Sequence, residues 1–397
     1  MAAWVEKRVP HPDAPGLEVL VDDPAAFVAG SLHRAPVLGA GREVGLVAES
    51  DRLWDDVLTR GARAPAFRLV RAGTTLPPSS SCRSAGVGHR TIDDVIQPNR
   101  VLELYDDGAT VVLQGLQFSD PHLARVANNL ALAVDQPVQV NAYLSPPSAR
   151  GLDLHVDLHD VFVLQLEGSK RWRVWEPLER TRQPVKGGPP MAPPTFAELG
   201  APDLDVTLHR GDVLYLPRGH PHCAETVDDS SAHLTVGVLA ITWQRALRGA
   251  LDAAVADGKW RSEIRLHGAD VLAAPEDVAG SLRPFLGADA VRRWMVAEVW
   301  RRQPATRLRP RRPPGIDRSA PLTITPGPLV WCERDGDACV IGLGDRRLVV
   351  PAMAHHFVTG LLTAPGPVAA ADLGCLDDDS QQVVVDRLAL EGVVAAG

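Results

Sequence analysis

From Pro137 the pattern changes to period two and short strands follow one another as far as Trp243, and this run most constrains what the chain can fold into. In PVQVNAYL, Val138, Val140 and Ala142 fall on one face and Gln139, Asn141 and Tyr143 on the other, because successive side chains of a strand point to opposite sides. DVFVLQLEGSKRWRVWEP reads as a strand, a tight Gly168-Ser169 turn and a returning strand. VTLHRGDVLYLP and AHLTVGVLAITW add two more strands, apolar on both faces. Many short antiparallel strands of this kind predict a jelly-roll core covered by flanking elements, in a chain of α+β class.

The rest of the 397 residues divides around that core. VDDPAAFVAGSL carries helical spacing after acidic cap candidates. FRLVRAG and RVLELYDDGATVVLQGL read as strands broken by Gly73 and by the turn Asp106-Asp107-Gly108. PHLARVANNLALAV places Leu123, Val126, Leu130 and Val134 on one helical stripe. Beyond Trp243 the strands stop, and RALRGALDAAVADG and ADAVRRWMVAEVWRRQ read as helices. A Pro- and Arg-rich stretch (RLRPRRPPG) reads as a linker. It precedes an α/β unit with strands near LVWCERDG and RRLVVP and helices at AHHFVTGLLTA and DDSQQVVVDRLALEG.

Composition narrows the function classes. A net charge of -8 argues against a polyanionic partner. No apolar run reaches the roughly 20 residues that span a bilayer. The first residues lack a basic segment followed by an apolar one, so no signal peptide is expected and a cytoplasmic location is. Cys82, Cys223, Cys332, Cys339 and Cys375 form no CxxC pair, and their odd number speaks against a disulfide framework.

The chemistry concentrates in GLDLHVDLHDVFV. On an extended strand His155 and Asp157 point to the same side and can grip one ion together. A third ligand must come from another strand, and RGDVLYLPRGHPH offers His220 and His222. Two imidazoles and a carboxylate on three corners of an octahedron leave three positions open, the facial triad of non-haem iron oxygenases. His159 follows the same alternation and is a rival ligand. His209, His220 and His233 read as supporting or surface residues.

The run NAYLSPPSARGLDLHVDLHDVFVLQLEGSKRWRVWEP, followed by GDVLYLPRGHPH, resembles the ribosomal oxygenase branch of the JmjC (cupin-like) family. The detailed match covers roughly residues 100 to 240. The resemblance implies an N-terminal α/β flank (1–95), a double-stranded β-helix catalytic domain (96–242) and a helical dimerisation region (243–303). A linker (304–328) and a winged-helix-like C-terminal domain (329–397) would follow. It selects His222 over His220 as the third metal ligand.

It also implies that Lys170 binds the distal carboxylate of 2-oxoglutarate, aided by Asn141 and Tyr143. A lysine on the apolar face of Trp172 and Val174 needs such a partner. Some relatives carry a serine where Gly237 stands, and Thr235 on the same face is the expected substitute. The implied cofactor is Fe(II), with 2-oxoglutarate and O2 as cosubstrates. The implied activity is hydroxylation of a histidine or arginine side chain of a ribosomal protein by a homodimer. The competing readings are a peptide natural-product tailoring hydroxylase and a non-catalytic metal-binding cupin. Nucleic acid is not an expected partner, because the last helices carry Asp377, Asp378, Asp379, Asp386 and Glu391.

Overall fold

In the computed structural model the alternating region supplies five strands of a nine-stranded antiparallel sheet, and four strands before it supply the rest. Its strands are β1 (Val37–Gly39), β2 (Phe67–Arg71), β3 (Thr74–Thr75), β4 (Thr110–Leu113), β5 (Val138–Ser145), β6 (Asp160–Val174), β7 (Leu204–His209), β8 (Val213–Leu216) and β9 (His222–Val238). They lie in the order β1-β8-β6-β9-β5-β4-β2-β3, with β7 also paired to β6. The structure describes the chain except residues 1–3, 60–61, 185–187, 189–190, 257–282, 308, 311–314 and 345.

Period two governs burial where it was read. In β5, Val138, Val140 and Ala142 are buried while Gln139, Asn141 and Tyr143 are less so. The first half of β6, from Asp160 to Leu166, is buried on both faces, as a strand covered by other layers must be. Helix α1 (Pro121–Val134) starts at Asp120, whose carboxylate accepts hydrogen bonds from the His122 and Leu123 amides. That cap and Pro121 in the first turn account for its sharp beginning.

Several local expectations are corrected. The predicted Gly168-Ser169 hairpin is absent, and β6 runs unbroken for 15 residues. Gly168 (φ +61°) is instead the point where the pairing of β6 with β9 shifts register. A side chain there would put Cβ 1.8 Å from the Ser230 carbonyl oxygen, so glycine serves a bulge and not a turn. VTLHRGDVLYLP splits into β7 and β8 around Gly211 (φ +93°). The predicted strand after Arg100 is a helix, Pro98–Asp106, with Val101 and Leu104 buried at i and i+3 and proline in its first turn. In VDDPAAFVAGSL only Pro24–Ala26 is α-helical, continued by a π-type turn over Phe27–Ser31.

The chain falls into two compact units. The nine-stranded sheet belongs to the unit formed by Pro10–Ala240 with Pro304–Thr306; Met1–Val9, Ile241–Gln303 and Arg307–Gly397 make up the other. In the latter, β10 (Gly327–Asp335), β11 (Ala338–Leu343) and β12 (Arg346–Pro351) form a meander, and the strand Val5–Val9 pairs with β10. Ile341, Phe357, Leu361, Val385 and Leu388 share its core; the last four lie on α4 (His355–Thr363) and α5 (Asp378–Leu390). The stretch read as a linker includes a strand, Pro321–Ile324, that pairs with Val368–Ala369 and Val394–Ala396. Arg307 is buried there and donates to the carbonyls of Thr325 and Pro328. Part of the expected linker, residues 308 and 311–314, lies outside the described residues.

Within the same unit, α2 (Trp243–Ala256) packs on α3 (Ala288–Trp300). Ala246, Ala250 and Ala254 are buried, while Trp243, Leu247, Leu251 and Val255 are exposed at successive i+4 positions. Buried Glu298 of α3 accepts from Arg245 of α2 and from Arg301 and Arg302. Residues 257–282 of the expected helical region lie outside the described residues. Among the described residues no helix is long and apolar enough to cross a membrane.

Gly168 offers a direct check of the sheet. Gly168→Ala should cost more stability in urea unfolding than Gly41→Ala, a glycine of similar φ (+67°) with nothing near its absent Cβ. Left-handed backbone alone costs about 1–2 kcal/mol for a non-glycine residue, so only the excess at Gly168 measures the contact with Ser230. Equal losses would mean that β6 and β9 do not approach there.

Candidate metal centre

His155 and His222 are brought together by their backbones. Each donates its amide to the other's carbonyl, at 3.1 and 3.0 Å, in an isolated antiparallel bridge. Such a pair puts its two side chains next to each other on one face. Two residues on, the Asp157 carbonyl accepts the Gly219 amide at 3.1 Å. The result is a cluster of His155, Asp157 and His222 whose ligand atoms all lie within 4.8 Å of one another. His155 Nε2 is 4.0 Å and His222 Nε2 3.7 Å from the Asp157 carboxylate oxygens.

Both imidazoles are oriented for this. His155 Nδ1 sits 2.7 Å from the Asp153 carbonyl and His222 Nδ1 2.9 Å from the His220 carbonyl. A carbonyl only accepts, so each Nδ1 carries the proton and each Nε2 keeps its lone pair for a metal. Burial, followed by repulsion from His155, holds the His222 imidazole down to about 4, so it is neutral at neutral pH. Burial pushes the Asp157 carboxyl up, but attraction to His222, His159 and His155 outweighs it and keeps the carboxyl below its usual range. Two neutral nitrogen donors and one carboxylate suit a divalent first-row transition metal.

His220, the alternative third ligand, points elsewhere, with its Nδ1 3.0 Å from the Pro217 carbonyl. His159 is not part of the cluster. The loop that carries His220 and His222 is tied to the start of β6 by Asp160. This buried carboxylate accepts from the Tyr215 hydroxyl and from the Arg218 amide at 3.0 Å, and contacts His33 Nδ1.

The cluster opens into a cavity lined by residues of β2, β4, β5, β6 and β9, so the sheet wraps around it. Lys170 lines it, is 3% exposed, and donates to Ser145 Oγ at 3.0 Å; Ser145 Oγ also accepts from Thr110. Burial pushes Lys170 down to about 7. No acidic side chain lies within salt-bridge reach of it among the described residues. Tyr143 and Thr235 also line the cavity, and the side chains of Thr235 and Arg68 hydrogen-bond the Tyr143 phenol. Asn141 does not line it. Its Oδ1 accepts the Gly115 amide at 3.0 Å and the Gln139 side chain at 2.9 Å, which ties β5 to the turn after β4.

Two cavity residues carry more than the sequence reading assigns them, which has Trp172 only as a neighbour of Lys170 on its inward face. His233, expected to be a supporting or surface residue, is buried and stacks flat on its cross-strand partner Tyr143 at 4.9 Å. Trp172 packs against both His222 and His233. The buried His233 Nδ1 and Trp172 Nε1 have no hydrogen-bond partner among the described residues. Orphaned polar atoms and an unpaired buried lysine around one space fit an anionic ligand that accepts hydrogen bonds.

The lysine also predicts a pH dependence. Its folded value is about 7 against an ordinary 10.5, so between these values the unfolded chain binds more protons and stability rises with pH. The cost of burying the charge is felt fully below about pH 7. Lys170→Met should therefore stabilise the ligand-free protein at pH 6.5, by on the order of 1–3 kcal/mol in urea unfolding, and gain less at pH 9. A Met variant less stable than wild type at pH 6.5 would make Lys170 a structural residue.

Comparison with known proteins agrees with this geometry. Residues 112–246 match the family described as JmjC domain. The chain is 33% identical over 218 residues to ribosomal oxygenase 1 of Gallus gallus, covering 54% of this chain and 34% of that one. It is 37% identical over 149 residues to the bifunctional lysine-specific demethylase and histidyl-hydroxylase NO66 of Dictyostelium discoideum, covering 37% and 28%. The chain thus spans about a third of the length of these curated relatives. Among solved structures, E. coli ycfD superposes with a TM-score of 0.59 at 18% identity, over 95% of this chain and 99% of that one. The ycfD complex with cobalt and 2-oxoglutarate gives 0.54 at 17% identity, over 94% and 97%. Residues 112–246 of this chain match the JmjC domain, and the chain resembles the ribosomal oxygenases in sequence around that domain and E. coli ycfD in fold along nearly its whole length.

Proposed function

We propose that the chain is an Fe(II)- and 2-oxoglutarate-dependent dioxygenase that hydroxylates a histidine or arginine side chain of a protein, a ribosomal protein first. The observation that carries this reading is one cavity holding both the His155–Asp157–His222 cluster and a buried lysine without a counter-ion. A binding-only cupin has no use for the second feature. The names of the relatives, ribosomal oxygenase and histidyl-hydroxylase, support the substrate class, and the ycfD complex supports the cosubstrate.

The chain's residues divide the work as follows. His155, Asp157 and His222 would hold the metal at the cavity they open into. Lys170, steadied by Ser145, neutralises the distal carboxylate of 2-oxoglutarate, with Tyr143 and Thr235 beside it. Asn141 contributes indirectly by fixing β5 to Gly115. Val70, Val112, Val161 and Trp172 keep the walls apolar and exclude water. When bound, iron would let O2 act as the oxidant, with two electrons coming from 2-oxoglutarate as it becomes succinate and carbon dioxide and two from the substrate C–H bond as it becomes C–OH. No side chain is assigned as a general base.

The proposal extends to assembly and location: a cytoplasmic homodimer that does not bind nucleic acid. The exposed stripe Trp243, Leu247, Leu251 and Val255 on α2 supports a second copy as its cover. The acids of α5 would repel a phosphate backbone. Light scattering should give twice the chain mass. A single-chain mass independent of concentration would count against the dimer.

Activity should follow the assignments. His155→Ala and Asp157→Ala should reduce iron-dependent succinate formation to background, while His220→Ala keeps it. Retained activity in His222→Ala would remove the third ligand from the scheme. Lys170→Ala loses a charge-assisted pair worth about 1.5–3 kcal/mol, so the half-saturating 2-oxoglutarate concentration should rise roughly ten- to hundredfold. An unchanged titration would place the cosubstrate elsewhere.

The substrate is tested by intact masses of ribosomal proteins from strains with and without the gene. One protein should differ by the mass of one oxygen. If none does, the peptide-tailoring alternative takes its place.

A further inference from the structure

Asp160, which ties down the loop carrying His222, takes one of its donors from far outside the segments that carry the ligands. His33 Nδ1 lies 2.5 Å from Asp160 Oδ2, and a carboxylate only accepts, so Nδ1 carries the proton. The His33 amide donates to the Tyr215 hydroxyl at 2.8 Å, and that hydroxyl donates to the same Oδ2. Backbone and side chain of one residue therefore close a ring of hydrogen bonds on the carboxylate. His33 takes up a left-handed backbone to do so (φ +64°), which residues with a Cβ avoid unless their surroundings enforce it. Its flanks hold it there. The π-type turn Phe27–Ser31 precedes it, and Phe27 packs on Tyr215 and Phe162 at 4.8 and 5.4 Å. Strand β1 follows, with Val37 paired to Tyr215.

The Asp160 side chain is fully buried and that of His33 is 32% exposed. Burial pushes the Asp160 carboxyl up, and the His33 contact leads those that outweigh it, ahead of Tyr215 and the Arg218 amide. Without His33 a buried charge is left underpaired. The carboxylate must then turn towards water or take up a proton, and either change weakens its hold on the Arg218 amide. From Arg218 the loop runs on to the ligand: His220 Nδ1 meets the Pro217 carbonyl at 3.0 Å, and His222 Nδ1 meets the His220 carbonyl at 2.9 Å. We infer that His33 is a positioning residue of the metal centre, which completes the donors of Asp160 and so fixes the loop that orients His222. This inference rests on the proposed metal centre and adds to it a residue of the N-terminal flank.

The test is cobalt(II) binding by the full chain, followed by the visible absorbance of the bound ion. His33→Gly suits the left-handed backbone but removes the donor, and should weaken cobalt binding about tenfold, the loss of one hydrogen bond to a charged group. His33→Asn also tolerates that backbone, and its amide N–H stands where the Nδ1 proton stood, so it should recover most of the affinity. Thermal melts accompany each titration. Wild-type affinity in the Gly variant overturns the role of His33 alone, even if its melting temperature falls, because a purely structural residue would behave in that way. An Asn variant no better than Gly, or a Gly variant that has lost its fold, overturns it too. Wild-type protein that takes up no cobalt overturns the metal centre itself, and this inference with it.

Discussion

Two backbone hydrogen bonds between His155 and His222 join segments that the sequence holds far apart, and the site depends on that exchange. On either side of this bridge the chain continues into long strands, β6 after Asp160 and β9 from His222 onward. These strands pair with each other along most of their length, so the position of one ligand pair is set by the register of the sheet. Asp157 follows two residues later and is held by the Gly219 amide. Because these residues ride on backbone pairing and not on side-chain packing alone, the fold itself brings them together. Preorganisation of this kind spares binding the cost of ordering the ligands.

The same cavity carries an electrostatic burden. Among the described residues, buried Lys170 has a hydroxyl as its hydrogen-bond partner and no counter-ion, and the Trp172 and His233 nitrogens nearby are unpartnered. In a region built for stability alone such groups would be paired or replaced by apolar ones. Their concentration around one space, beside three side chains that could hold a metal, fits a site completed by an anionic ligand. Asp160 shows the contrast. It too is a buried charge, but the Tyr215 hydroxyl, the Arg218 amide and His33 satisfy it, and its task is to fix the loop that carries His222.

Alternation in the sequence was enough to read the faces of β5 and the inward direction of Lys170, because a strand places neighbours two residues apart on one side whatever its partners. His155 and Asp157 were expected on a strand as well, but His155 makes only an isolated bridge and β6 begins at Asp160, so they converge without one. Gly168 was misread because glycine followed by serine suits a turn and a bulge equally. The choice is made by the Ser230 carbonyl on a strand some sixty residues away. The helix Pro98–Asp106 was misread because Val101 and Leu104 are too few to separate helical from extended spacing in a short window. Val5–Val9 pairs with β10 across more than three hundred residues, which no local pattern can signal. His233 was within reach, since it shares a face with Thr235 and Gly237, but an isolated histidine between apolar residues carries no mark of what it stacks on. Asn141 had the right face and a different engagement, the Gly115 amide.

The central claim is that backbone pairing builds a facial metal site whose open side faces Lys170. It is tested most directly by crystals grown with manganese(II) and 2-oxoglutarate, with the metal located by its anomalous scattering. The account predicts a single peak bounded by His155 Nε2, His222 Nε2 and an Asp157 oxygen, with the distal carboxylate of 2-oxoglutarate on the Lys170 ammonium. A peak that uses His220 or His159 in place of His222, or a carboxylate bound away from Lys170, would contradict it.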